Sequence, residues 1–115
     1  MPLIVYGIAN CDSVKRARAW LAEHRIESGF HDFKKRGVPP ERLEAWIGAV
    51  GWEPLVNRKG TTWRRLDDAT RAAVRDAASA RVLMLAHPSV IRRPVIEWPS
   101  GTVSIGLEIE RWPLA

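Results

Sequence analysis

Apolar positions cluster first at Leu3-Ile4-Val5-Tyr6, and residues 2–6 read as a short buried strand. A helical period follows over residues 12–24. Val14, Ala17, Trp20, Leu21 and His24 fall on one side, and Lys15, Arg16 and Arg18 on the other. Asn10 or Ser13 is placed to cap its start. Residues 27–33 alternate as a strand does and end in Phe30-His31-Asp32-Phe33; Lys34-Lys35-Arg36-Gly37 then reads as a solvated basic turn. Pro39-Pro40 opens the next helix, because proline suits the first helical turn. Leu43, Trp46, Ile47 and Val50 give its inner face, and Gly51 ends it.

Residues 53–64 are polar and carry a glycine, the pattern of a connector. Asp67 or Asp68 starts a third helix with Ala69, Ala72, Ala73 and Val74 inward. Ser79 caps a short fourth one, Val82-Leu83-Met84-Leu85, which His87-Pro88 terminates. A strand then runs from Arg93-Pro94 to Trp98, Pro99-Ser100-Gly101-Thr102 turns the chain, and Val103, Ile105 and Leu107 alternate. Residues 108–115 show little pattern and predict a loosely packed end. The predicted order is β-α-β-α-α-α-β-β in a single domain, residues 1–115. This is an α/β chain with a βαβ start, an inserted helical segment and a closing hairpin, a thioredoxin-like arrangement.

Composition narrows the chemistry. Apolar content of 46% and charged content of 27% are those of a soluble globular protein. No run reaches the roughly 18 apolar residues of a membrane span, and no signal region precedes the first strand, so a cytoplasmic protein is expected. A monomer is the default. The net charge of +5 favours small anions; without a basic stripe interleaved with aromatics or a zinc-finger spacing, nucleic acid is a poor partner. One cysteine excludes an internal disulfide, and three scattered histidines offer no metal-ligand cluster.

That cysteine, Cys11, falls where the first strand turns into the first helix. Free backbone N–H groups and the positive end of the helix dipole favour an anion there, so the thiol ionises below its ordinary pKa of about 8.5. Asp12 competes for the same dipole and pushes the thiol the other way. Arg58, beside Asn57 and close to Gly60, is placed like an anion-binding side chain on a loop. The six tryptophans read mainly as core or rim, with Trp63 a candidate site wall near Arg58.

Three ordered phrases carry a resemblance. They are Tyr6-Gly7-Ile8 with Asn10-Cys11-Asp12-Ser13-Val14-Lys15-Arg16-Ala17-Arg18, then Asn57-Arg58-Lys59-Gly60-Thr61-Thr62-Trp63-Arg64, and His87-Pro88-Ser89-Val90-Ile91-Arg92-Arg93-Pro94-Val95. Over residues 3 to about 107 the chain resembles the glutaredoxin-coupled arsenate reductase family. It is most similar to the YffB-like branch of glutathione-dependent thiol reductases; Spx-like regulators form another branch. The resemblance implies Cys11 as nucleophile, Arg58 and Arg93 as anion-binding arginines, and Pro94 as a cis proline facing the cysteine. Asn10, Asp12, Ser13, Arg93 and Pro94 are the implied substrate and glutathione contacts. No bound cofactor is implied. Glutathione is the co-substrate, glutathione or glutaredoxin the partner, and a small anion or a disulfide the substrate. A regulatory adaptor of the Spx kind is the alternative. Three positions depart from the pattern. Gly7 stands where arsenate reductases carry a histidine, Gly106 where they carry a third arginine, and Val14 where Spx-like proteins carry a second cysteine. These point away from strong arsenate binding and from an internal disulfide switch.

Overall fold

The computed structural model describes residues 2–114. It is an α/β fold of thioredoxin-like type with a four-stranded mixed sheet in the order β2-β1-β3-β4. The strands are β1 (Leu3–Gly7), β2 (Ser28–Asp32), β3 (Val95–Glu97) and β4 (Val103–Ile105). β1 runs parallel to β2, with Val5 opposite Phe30, and antiparallel to β3, with Val5 opposite Ile96. β3 and β4 form the expected hairpin, closed by Trp98 and Thr102 through the Trp98 N–H. Two compact units divide the chain: one holds the residues up to Arg36 and from Arg93 onward, the other residues 37–92. No helix among the described residues is long and apolar enough to cross a membrane.

In the sheet-bearing unit, α1 (Asp12–Glu23) lays Val14, Ala17 and Leu21 inward, the face the periodicity predicts. Its core joins Leu3, Val5, Ala17, Leu21, Ile96, Trp98 and Trp112. The presence of Trp112 there corrects the expectation of a loose end. A 3₁₀ turn, Ile109–Arg111, brings the indole back, and it meets Trp20 edge-on at 5.3 Å and Trp98 at 5.3 Å. The basic segment after β2 is likewise ordered, as a single helical turn, α2 (Phe33–Arg36). Phe33 is buried there, and Asp32 Oδ1 accepts the Lys34 N–H at 2.9 Å.

In the helical unit, α3 (Pro40–Val50) begins and ends at the predicted residues, with Leu43 and Trp46 fully buried and Gly51 at φ 85°. The stretch expected as a connector carries two helical turns, α4 (Trp52–Leu55) and α5 (Thr61–Arg65). The third predicted helix is the short α6 (Asp68–Ala72), which buries none of its own residues; Ala69, Ala72 and Ala73 are exposed rather than inward. Methyl groups carry too weak a periodic signal to fix a face. The fourth is longer than predicted, α7 (Ala77–Ala86). Asp76 is its cap, and Ser79 answers from the third helical position in a reciprocal capping box. Segments 54–57 and 90–92 are tied together, by the Asn57 N–H to Val90 O at 2.8 Å and the Arg92 N–H to Leu55 O at 2.8 Å.

Candidate active site

β1 ends at Gly7, and the chain turns through Ala9-Asn10 into α1. Cys11 is the N-cap itself: its φ of −135° and ψ of 125° are extended, and its carbonyl accepts the first helical bond from Lys15 at 2.9 Å. Neither Asn10 nor Ser13 caps the helix, so the sulfur occupies the place a capping oxygen would take. Asn10 and Asp12 are exposed and Ser13 half-buried. Gly7 lets this turn close. A Cβ on it would stand 2.6 Å from Val14 Cγ2, so this position, noted above as a departure from the arsenate reductase pattern, admits no side chain unless Val14 moves.

The Cys11 thiol is half-buried and free. Partial burial is the largest influence on it and opposes ionisation. The Val14 N–H, the Arg93 guanidinium, through both a hydrogen bond and its charge, and the Ser13 N–H together outweigh that burial, and the pKa falls below that of an ordinary thiol. Asp12, expected to oppose ionisation, is not among the groups that move it. Arg93 precedes Pro94 across a cis peptide bond. The Gly106 N–H donates to Pro94 O at 2.9 Å, and Gly106 has φ 76°, so the place of the family's third arginine is held by a residue in the left-handed region.

Arg58 lies in the helical unit, on the turn between α4 and α5. There Asn57 Oδ1 accepts the Lys59 N–H at 3.3 Å, and a Cβ on Gly60 would fall 2.9 Å from Asn57 Nδ2. Its guanidinium carbon is 5.7 Å from the centre of the Trp63 ring and 5.8 Å from that of Trp52. Trp63 was a sequence candidate. Trp52 was not, since eleven-residue spacing across two separate turns leaves no periodic signal. A 560 Å³ groove elsewhere in this unit, lined by Ala69, Val74, Val82 and Leu83 among others, contains none of the candidate site residues.

A half-buried, solitary cysteine that caps the first βα helix, its thiolate favoured by backbone N–H groups and one arginine, defines a thioredoxin-like protein with a thiol site. The chain belongs to the ArsC family, whose profile matches residues 6–113. It is similar to the solved YffB protein at 44% identity, with 94% of this chain and 93% of that one covered and a TM-score of 0.88. It is also similar to an arsenate reductase (ArsC) related protein from Brucella melitensis at 48% identity, over 96% and 91% of the two chains, TM-score 0.76. The global transcriptional regulator Spx of Streptococcus pyogenes matches at 26% identity, over 76% of this chain and 65% of its own length.

Proposed function

We propose that the protein is a single-cysteine thiol oxidoreductase coupled to glutathione or glutaredoxin. The carrying observation is the Cys11 sulfur at the N-cap with Arg93 beside it. The Cys11 thiolate attacks a disulfide or an oxidised anionic substrate, and Arg93 stabilises the negative charge before and during attack. Arg58 is assigned the second anion-binding role by its motif, Asn57-Arg58-Lys59-Gly60. Because the chain has one cysteine, the adduct on Cys11 is resolved by an external thiol under ordinary exchange rules. Asn10, Asp12, Ser13 and Pro94 are the proposed contacts of that thiol peptide, and the protein acts as a cytoplasmic monomer. The test is the pH profile of Cys11 alkylation by iodoacetamide. The wild-type profile lies on the acid side of a free thiol's and moves to higher pH in Arg93→Ala. A wild-type profile at or above that of a free thiol overturns the assignment.

The match to Spx supports a second reading, a regulatory adaptor that docks on a larger protein. It predicts that a defined partner binds Cys11→Ser as tightly as the wild type, while the reductase predicts that Cys11→Ser abolishes turnover.

A further inference from the structure

Three cations line one cavity of the sheet-bearing unit: Arg18, the last residue of the first motif phrase, and Lys35 and Arg36, which lie outside all three phrases. The cavity has a volume of 350 Å³ and is lined by Ala9, Arg18, Phe30, Asp32, Lys35 and Arg36. The Arg18 guanidinium carbon sits 4.2 Å from the centre of the Phe30 ring, which steadies a long side chain at the cavity wall. Among the described residues, no carboxylate pairs with Arg18, Lys35 or Arg36. The one acid in the lining, Asp32, takes the Lys34 N–H on its Oδ1. Cations left unpaired around a concavity form a site for an anion, and an arginine there suits a carboxylate.

The cavity begins two residues before Cys11, so Ala9 and Cys11 are at most about 7 Å apart along the chain. A tripeptide-sized thiol spans about 10 Å, enough to hold its sulfur at Cys11 and a charged end in the cavity. We propose that this cavity is the carboxylate subsite for the thiol-peptide substrate of Cys11. Arg18, Lys35 and Arg36 receive the carboxylate, and Asp32 faces the α-ammonium of the same amino-acid end. The proposal rests on the reductase reading. In the step it serves, the Cys11 thiolate attacks one sulfur of oxidised glutathione. The new S–S bond forms as the old one breaks, and the electron pair leaves on a glutathione thiolate. A second glutathione thiolate then attacks the mixed disulfide, returning the Cys11 thiolate and oxidised glutathione.

The experiment compares the rates at which the full chain reacts with oxidised glutathione and with hydroxyethyl disulfide, which carries no charge. Lys35→Ala and Arg36→Ala are expected to slow the first reaction about five- to tenfold and leave the second within about twofold. Arg16→Ala removes the same charge from α1 outside the cavity and is expected to change both by less than about twofold. Equal slowing by Arg16→Ala and the cavity variants overturns the subsite, because a diffuse positive field then suffices. A wild type inert to both disulfides counts against the reductase reading itself. The subsite is then judged on Cys11→Ser by NMR titration with S-methylglutathione. Amide shifts centred on residues 30–36, lost in Arg36→Ala, uphold it; their absence at millimolar ligand overturns it.

Discussion

At Cys11, partial burial and positive partners pull the same proton in opposite directions, and the partners win. The sign of the resulting pH dependence follows. A thiol whose pKa is lower folded than unfolded releases its proton first in the folded state, so the unfolded state binds more protons between the two values. Stability from this group is complete above the unfolded pKa and is lost as pH falls through the folded one. Denaturant midpoints of wild type and Cys11→Ser should therefore diverge in favour of the wild type as pH rises through that window, and Arg93→Ala should narrow the divergence. A flat difference across neutral and alkaline pH contradicts the assigned role of Arg93. A second residue-scale case is Arg58 between Trp52 and Trp63. Two indole faces beside an exposed guanidinium are each worth ~0.5–1 kcal/mol, so under the proposed anion-binding role of Arg58, Trp52→Leu and Trp63→Leu should each raise KM for an anionic substrate about two- to fivefold with little change in kcat. Phenylalanine should restore most of the loss. A fall in kcat at constant KM points to a role other than steadying Arg58. Cys11 was legible because its setting is local, a strand and a helix joined within five residues. Arg93 and Pro94 were legible only through resemblance, since 82 residues separate Arg93 from the sulfur it assists.

Whole elements show why some boundaries were readable and others not. Proline at the start and glycine at the end fixed α3, and branched and aromatic side chains fixed its inner face. α6 is alanine-rich, so its face was misread, and in α7 the cap passed to Asp76 because an aspartate before a serine three residues on completes a box that Ser79 alone cannot. The solvated turn at Lys34-Lys35-Arg36 is a helical turn because Asp32 supplies its first acceptor and Phe33 its anchor. The β1–α1 junction gives the sharpest test at this scale. A Cβ at position 7 lies 2.6 Å from Val14 Cγ2, and Val14 is fully buried. Gly7→Ala should destabilise the protein by about 1–3 kcal/mol in urea unfolding and slow Cys11 alkylation by displacing the helix start. Adding Val14→Ala should return the alkylation rate toward that of the wild type, though not the stability, since a buried branched side chain is then lost. If Gly7→Ala alone alters neither quantity, the close approach of β1 to α1 is not what sets the sulfur.

For the molecule as a whole, the three ordered phrases were enough to place the chain in its family, while the closing segment gave no warning of its importance. Residues 108–114 show no periodicity because Trp112 alone is fully inserted, with Ile109 half-buried against the same core. Trp112 is 6% exposed and joins the core through Trp20 and Trp98, whereas Leu114, two residues on, is 44% exposed. Its Nε1 has no hydrogen-bond partner among the described residues, so its contribution is apolar burial and ring contact. A pattern search sees one tryptophan followed by a proline; the fold sees the last piece laid over β1, α1 and β3. Trp112→Ala should therefore cost about 3–5 kcal/mol in urea unfolding, a large share of the stability of a domain this size, while Leu114→Ala should stay within about 0.5 kcal/mol. Trp112→Phe should lie between the wild type and Trp112→Ala, because it keeps a ring but loses area. Since Trp112 packs on the same α1 whose N-cap is Cys11, the alanine variant also separates packing from chemistry. The alkylation rate of its folded fraction should match the wild type, because the residues acting on the sulfur, Ser13, Val14 and Arg93, are untouched. Loss of reactivity without loss of stability would show that the carboxyl-terminal segment reaches the sulfur by a route other than the core.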